Sequence, residues 1–179
     1  KVGDQLVQKG SLVSGDKLRF DFTHNAPITN EDIADIELFS NKVVLQNAKV
    51  TTRLMSIDDA KQQGAMALFG EKYDDNVRVL QIADSIELCG GTHVVNSGDI
   101  GLIKITGQES IAAGIRRMEA LTGLEAVKYV SKQYSVLGDI SGLLKTTELS
   151  SAVSGLLSDK KQLTKKLDQL NQKLELSSL

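Results

Sequence analysis

Val77-Arg-Val-Leu-Gln-Ile82 is followed along the chain by Ser85-Ile-Glu-Leu88 and then by Cys89-Gly-Gly-Thr-His93. The first segment is rich in β-branched residues, which predicts a strand, and the second leads into the cysteine loop. This loop holds the only cysteine and one of the two histidines in the 179-residue chain. A thiolate and an imidazole joined across two glycines can turn toward one ion, and zinc accepts both donors. The loop therefore predicts Cys89 and His93 as two ligands of a four-ligand zinc site.

The same residues also have ordinary structural explanations. A single cysteine is often a small buried hydrophobic residue, and paired glycines often form a tight turn. His24 is the other histidine of the chain. It is either a third metal ligand or, in the plainer interpretation, a hydrogen-bonded histidine at the end of a strand. The residues alone therefore predict half of a metal site and leave the remaining ligands open.

The rest of the chain predicts an α+β fold. Leu18, Phe20 and Phe22 alternate with charged residues, which is typical of a half-buried strand, and Gly15-Asp16 before them indicates a hairpin turn. Runs of strands separated by a few helices, without regular βαβ alternation, favour this class. The other predicted elements are a helix from Asn30 to Gln46 capped by Thr29, a strand from Ala48 to Leu54, a short helix from Ser56 to Gln63, a turn at Gly70-Glu-Lys-Tyr73, strands over Leu102–Ile105 and Gly114–Leu121, and a helix from Leu124 to Leu137.

The composition changes after Gly138, where aromatic residues disappear and Leu, Lys, Gln and Ser dominate. Apolar residues then recur in alternating steps of four and three, which is the a/d pattern of a coiled coil with one lysine in the seam. The positions are Leu149, Val153, Leu156, Lys160, Leu163, Leu167, Leu170 and Leu174. This stripe favours pairing with another helix over burial in a globule, although a helix lying on its own domain remains the alternative. We expect a main domain over 1–130, a helical connector over 131–147 and a helical arm over 148–179.

Arg116 and Arg117 fall on the predicted strand that follows Gly114. Neighbouring residues of a strand point to opposite faces, so the two guanidinium groups are expected to separate. One is available to a phosphate or carboxylate, while the other is expected to meet Glu119 or solvent. A surface salt bridge explains the pair equally well.

The net charge, the cysteine count and the length of the apolar runs exclude several classes of protein. The net charge of −2 carries no overall basic signature of nucleic-acid binding. One cysteine cannot form an internal disulfide and fits a reducing cytoplasm. No apolar run reaches about 18 residues, so no membrane span is expected. The chain begins at Lys1 in the middle of a pattern, and we expect it to be a fragment of a longer protein.

Five motifs together resemble the editing domain of bacterial alanyl-tRNA synthetases. They extend over about residues 5 to 130, and as an ordered set they are highly specific. The motifs are Leu18-Arg-Phe-Asp-Phe-Thr-His24, Gly64-Ala-Met-Ala-Leu-Phe-Gly-Glu-Lys-Tyr73, Leu88-Cys-Gly-Gly-Thr-His93, Gly98-Asp-Ile-Gly101 and Gly114-Ile-Arg-Arg-Met-Glu-Ala-Leu-Thr-Gly123. The resemblance implies the editing fold shared by threonyl- and alanyl-tRNA synthetases, an antiparallel sheet with flanking helices, followed by a helical arm.

The resemblance also implies a function in the cytoplasm, with tRNA(Ala) as partner. Editing hydrolyses tRNA(Ala) mischarged with serine or glycine, because a pocket sized for alanine rejects both only modestly. The family's zinc is held by an H-x₃-H pair and by the two residues that match Cys89 and His93. The resemblance further implies Gln8 as a pocket residue and Arg116 as a residue that holds the site or the tRNA 3′ end. ATP-dependent ligation of alanine, and assembly into a homo-oligomer through the arm and a downstream domain, are implied for the longer enzyme.

This sequence departs from the family pattern because the H-x₃-H pair does not occur in it; it is expected shortly before Lys1. We therefore expect the chain by itself to hold zinc weakly and to be a poor deacylase. Two alternatives stay open: a non-catalytic helical-arm module that binds tRNA or a partner, and part of a free-standing alanyl-tRNA deacylase.

Overall fold

The computed structural model describes residues 6–66 and 74–177. Within them, strands dominate the first part of the chain and two helices make up the end. The elements are β1 (Gln8–Val13), β2 (Leu18–Thr23), α1 (Asn30–Leu45), β3 (Thr51–Ser56), α2 (Ile57–Gln62), β4 (Asn76–Ile82), β5 (Ser85–Leu88), a 3-10 turn (Ser97–Ile100), β6 (Ile103–Ala112), β7 (Ile115–Thr122), α3 (Gly123–Leu144) and α4 (Leu149–Ser177).

The strands form two antiparallel sheets. One has four strands in the order β1-β2-β7-β6, and the other has three in the order β3-β4-β5. Every pairing between named strands is antiparallel. The predicted α+β class, with antiparallel sheet and flanking helices, is therefore confirmed.

Helix α1 covers the four-stranded sheet and also protects its edge. Phe22, Ile28 and Met118 belong to the buried core of this sheet, and Ile33 and Ile36 of α1 pack against it. Strand β6 lies at the edge, where backbone groups lack a neighbouring strand. Asn41 of α1 both donates to the carbonyl of Ile103 (2.8 Å) and accepts from its N–H (2.9 Å). Glu37 accepts from the N–H of Ile105 at 2.6 Å. Two polar side chains of α1 thus replace the missing strand.

A second, smaller core lies between the three-stranded sheet and α2. It contains Ala60, Val77, Val79 and Leu88, of which Ala60 and Val79 are almost completely buried. The alternation along β4 sends Val77 and Val79 to this core. The sheet that carries the cysteine loop is therefore anchored by apolar packing just before the loop begins.

Local signals in the sequence predicted several boundaries correctly. The hairpin between β1 and β2 closes around Gly15-Asp16, with the Ser14 N–H donating to the Lys17 carbonyl at 2.9 Å. Thr29 caps α1 through a capping box with Asp32, and Ser56 caps α2. Each cap satisfies N–H groups that the first helical turn leaves unpaired.

Three predicted boundaries are wrong. The strand expected over Leu102–Ile105 runs from Ile103 to Ala112, because its pairing with β7 continues along its length. The strand expected over Ala48–Leu54 is found at Thr51–Ser56, because the chain before it makes only an isolated bridge, Lys49 with Asn96. The helix expected to end at Leu137 continues to Leu144, since apolar residues keep helical spacing beyond Gly138 and outweigh the helix-weakening glycine. It ends where Lys145 adopts a positive φ of 52°, a common helix terminator.

The chain divides into two compact units, Lys1–Tyr129 and Val130–Leu179. The apolar stripe of α4 is solvent-exposed, and Leu163 and Leu167, for example, are 64% and 60% exposed. None of the helices in the described ranges combines the length and apolar character that a membrane crossing needs. The turn predicted at Gly70-Glu-Lys-Tyr73 lies outside the described residues.

Candidate metal and editing site

The cysteine loop begins where β5 ends. The N–H of Cys89 donates to the main-chain carbonyl of Arg78 at 3.2 Å, which continues the β4–β5 pairing by one step. The guanidinium of Arg78 then donates to the carbonyl of Gly91. Cys89 is half-buried, whereas His93 is exposed. The loop therefore starts from a fixed strand end and carries its imidazole toward solvent.

Cys89 and His93 converge on the same side of Gly91. A Cβ atom placed on Gly91 would lie 3.7 Å from Sγ of Cys89 and 3.7 Å from Nε2 of His93. The missing side chain of Gly91 therefore leaves a space flanked by both donor atoms. One sulfur and one imidazole nitrogen facing a shared space fit the ligand chemistry of zinc. Within the described part of the chain, no cluster of three or more His, Cys, Asp and Glu residues joins them.

Gln8 and Arg116 lie in one row across the four-stranded sheet. Phe22 of β2 is the cross-strand partner of Gln8 on one side and of Arg116 on the other. Direct partners point to the same face, so Gln8, Phe22 and Arg116 share one face of this sheet. The amide nitrogen of Gln8 donates to Oγ of Ser11 at 3.4 Å. Nε of Arg116 is buried and has no hydrogen-bond partner among the described residues.

His24 stands next to this row. Its ring centroid is 6.5 Å from that of Phe22, and its Nδ1 atom is 2.6 Å from the carbonyl oxygen of Ala26. The plainer interpretation of His24 as a hydrogen-bonded histidine agrees with this contact. The structure thus groups the predicted site residues in two places: Gln8 and Arg116 in the four-stranded sheet, and Cys89 and His93 after the edge of the other sheet.

One protein family and two curated relatives match this chain. A family described as "Threonyl and Alanyl tRNA synthetase second additional domain" matches residues 77–119, which contain both the cysteine loop and Arg116. The alanine–tRNA ligase of Pseudoalteromonas translucida is 52% identical over 176 residues, 97% of this chain. The chain matches a segment of alanyl-tRNA synthetase. The alanine–tRNA ligase of Idiomarina loihiensis gives the same identity and coverage. The chain spans about one-fifth of the length of these curated relatives, since it covers 20% of each.

The resemblance inferred from the sequence motifs is thereby confirmed. The matched family also agrees with the antiparallel sheets and flanking helices of the fold. The two relatives extend the similarity through the helical end of the chain, because the alignment reaches 97% of its length.

The second arginine of the pair binds a carboxylate, as one of the two was expected to do, but its partner was not predicted. Arg117 points away from the face of Arg116 and donates two hydrogen bonds to Asp21, at 2.8 and 2.9 Å. Glu109 lies 3.8 Å from Arg117. The expected pairing of an arginine with Glu119 is wrong, because Glu119 instead binds Lys17 at 3.3 Å. The strand register explains this difference, since it places Asp21 directly opposite Arg117.

Hydrogen bonding to Arg117 lowers the pKa of Asp21 below its ordinary value of 3.8. The pKa of Arg117 is raised above its ordinary value, and the largest cause is the same hydrogen bonding to Asp21. Asp21 is buried, at 6% exposure, so its charge depends on Arg117 and on Arg19, whose Nε lies 3.6 Å from its carboxylate. Because the pKa of Asp21 is lower in the folded than in the unfolded chain, ionised Asp21 stabilises the fold above the unfolded pKa. That contribution is lost as the pH falls through the folded pKa.

Asp21→Asn should lower the melting temperature at pH 7 by about 5 °C, because the amide cannot accept both hydrogen bonds of the Arg117 guanidinium. The difference in melting temperature between the wild type and Asp21→Asn should decrease as the pH falls below about 4, where Asp21 itself becomes protonated. Thermal unfolding followed by circular dichroism from pH 7 to pH 3 measures both effects. Glu109→Gln is the matched control and should change the melting temperature by less than about 2 °C, since Glu109 is largely exposed. If the difference in melting temperature between the wild type and Asp21→Asn stays constant with pH, the charge of Asp21 does not stabilise the fold.

Proposed function

We propose that this chain supplies part of the editing site of an alanine–tRNA ligase. The site hydrolyses the ester that links serine or glycine to the 3′ end of tRNA(Ala). The observation that carries the proposal is the convergence of Sγ of Cys89 and Nε2 of His93 on the space beside Gly91. The 52% identity to alanine–tRNA ligases along 97% of the chain supports it further.

Cys89 and His93 would hold the zinc ion together with an H-x₃-H pair expected in the longer protein. When bound, zinc would polarise or position the attacking water, or orient the mischarged amino acid. With only these two ligands, the chain by itself should bind zinc weakly. In the reaction, a water oxygen bonds to the ester carbonyl carbon, the bond to the ribose oxygen breaks, and that oxygen takes up a proton.

Gln8 and Arg116, which lie in one row across the four-stranded sheet, would bind the substrate rather than the metal. The Gln8 amide both donates and accepts hydrogen bonds, so it suits the hydroxyl or ammonium group of a small amino acid. The buried Nε of Arg116 has no partner among the described residues, and an unpaired buried donor is costly unless a ligand satisfies it. Arg116 would donate a hydrogen bond to an oxygen of the tRNA 3′ end, either of a phosphate or of the ester carbonyl.

The longer enzyme would be a cytoplasmic ligase that joins alanine to tRNA(Ala) with ATP, at a site outside this chain. The exposed stripe of α4 would pair with another helix, in a homo-oligomer or within the longer protein. This stripe is also what favours the second candidate function, a non-catalytic module that binds tRNA or a protein through its helical arm.

The decisive experiment measures editing in a full-length alanine–tRNA ligase that carries this segment and contains zinc. The enzyme should release serine from Ser-tRNA(Ala) much faster than it releases alanine from Ala-tRNA(Ala). Equal and slow release of both amino acids would reject the editing function and leave the non-catalytic module.

Arg116→Met should lower the rate of serine release by about 10-fold or more, because the methionine keeps much of the volume of the side chain but removes the donor. Arg53→Met is the matched control on β3, where Arg53 contacts Gln81 at 3.4 Å. The single-turnover rate of Ser-tRNA(Ala) hydrolysis reports the effect. If both variants edit at the wild-type rate, Arg116 does not bind the substrate.

A further inference from the structure

Arg78 contacts the cysteine loop with both its main chain and its side chain. Its carbonyl accepts the N–H of Cys89 at 3.2 Å, and its guanidinium donates to the carbonyl of Gly91. Arg78 itself is held in β4, between the buried residues Val77 and Val79. One residue of a fixed strand therefore holds the loop at two points.

The loop has little else to hold it at these positions. Gly90 and Gly91 carry no side chains, and a Cβ atom on Gly90 would meet no atom within 4 Å. Glycine pairs have a wide choice of backbone conformations, and selecting one of them costs entropy. The direction in which the chain leaves Gly91 decides where the His93 side chain lies. The hydrogen bond from Arg78 to Gly91 thus acts at the point where the loop geometry is otherwise least restrained.

The positive charge of Arg78 has no ion-pair partner among the described residues. Among the described residues, no carboxylate lies within ion-pair distance of it. Hydrogen bonds from a charged donor are stronger than those between neutral groups. The guanidinium is therefore well suited to fix a single backbone carbonyl.

We propose that Arg78 is a positioning residue of the metal site: by binding the Gly91 carbonyl, it brings Cys89 and His93 to the same side of Gly91. This inference rests on the proposed function, because it assigns Arg78 to the ligand pair of the editing site. Arg78 does not contact the metal or the substrate. It acts by setting the distance between the two ligands before any metal binds.

The first test needs neither metal nor tRNA. His93→Cys places a second thiol in the loop. The equilibrium between the two thiols and the disulfide that Cys89 forms with the introduced cysteine, measured against glutathione, gives their effective concentration. Adding Arg78→Met should lower this effective concentration by about 3- to 10-fold, because one hydrogen bond to the loop is lost. Arg53→Met in the same background is the matched control and should change it by less than about 2-fold, since Arg53 contacts Gln81 and not the loop.

The second test uses the 179-residue chain with its natural His93. Cobalt(II) binding, followed by the sulfur-to-cobalt absorption band and by competition with a chelating dye, should weaken by about 10-fold in Arg78→Met, the size expected when a supporting hydrogen bond is removed. Arg78→Lys, which keeps a charged donor, should recover part of this loss. Circular dichroism checks the fold of each variant, and Arg78→Gln replaces Arg78→Met if the latter does not fold.

The two tests separate this inference from the proposed function. A lower effective concentration in Arg78→Met supports the inference even if the full-length ligase fails to edit. An effective concentration equal to that of the Arg53→Met control, in a folded variant, overturns it even if editing is intact. Equal cobalt affinity in the wild type and in Arg78→Met would overturn it as well.

Discussion

Replacing Cys89 with alanine in a full-length alanine–tRNA ligase that carries this segment should slow hydrolysis of Ser-tRNA(Ala) by roughly 100-fold or more, while alanine charging stays unchanged. The substitution removes the sulfur donor that faces His93 across the space beside Gly91. A metal ion contributes several kcal/mol to the stabilisation of a developing negative charge, so its loss has an effect of this size. Serine release under single-turnover conditions and zinc content per protein chain are the two measurements.

The control for this prediction is the stability of the fold. Cys89 is only half-buried, so alanine leaves little empty space and should change the melting temperature by less than about 3 °C. Loss of editing with the fold and tRNA affinity kept supports the enzymatic function. If Cys89→Ala unfolds the domain, the cysteine is structural and the non-catalytic module is favoured. If the variant edits as fast as the wild type, Cys89 is not required for editing and its assignment as a metal ligand is wrong.

The sequence predicted those parts of the fold that depend on local patterns. The alternation of Leu18, Phe20 and Phe22 identifies β2 because these apolar side chains share the face that packs in the core. Thr29 and Ser56 identify helix starts because only a few residue types can cap them. In contrast, the pairing of Arg117 with Asp21 depends on which residues of β2 and β7 lie opposite each other. That register is a long-range property, and the sequence offered Glu119 as an equally good partner.

The same distinction applies to the candidate site. Cys89 and His93 were predicted because thiol and imidazole groups have specific chemistry. Gln8 and Arg116 were predicted only because the family resemblance implies them, and of the two only Arg116 lies in a quoted motif. The contact of Arg78 with the cysteine loop was not predicted, because its partner is the backbone carbonyl of Gly91 and no residue type marks such an acceptor. The row of Gln8, Phe22 and Arg116 could not be predicted either, since it requires the order of three strands, one of which is distant in the sequence.

The second large effect is expected from a substitution of Gly101, the last residue of the Gly98-Asp-Ile-Gly101 motif. Gly101 has φ 70° and ψ −161°, a conformation essentially restricted to glycine. A Cβ atom there would lie only 2.9 Å from Cα of Gly123. The N–H of Gly123 donates to the carbonyl of Leu102 at 2.9 Å, so the two backbones meet where β6 begins and α3 starts. This close approach leaves no room for a side chain.

Gly101→Ala should therefore lower the free energy of unfolding by about 3 kcal/mol or more, because the backbone strain and the steric clash add together. Urea denaturation of the chain measures this as a lower midpoint at an unchanged slope. Gly107→Ala on β6 is the matched control: its Cβ would meet no atom within 4 Å. That variant should stay within about 1 kcal/mol of the wild type. Equal midpoints for the two variants would mean that the contact between Gly101 and Gly123 does not constrain the fold. A selective loss in Gly101→Ala would show that the glycine of this motif is required for packing rather than for chemistry.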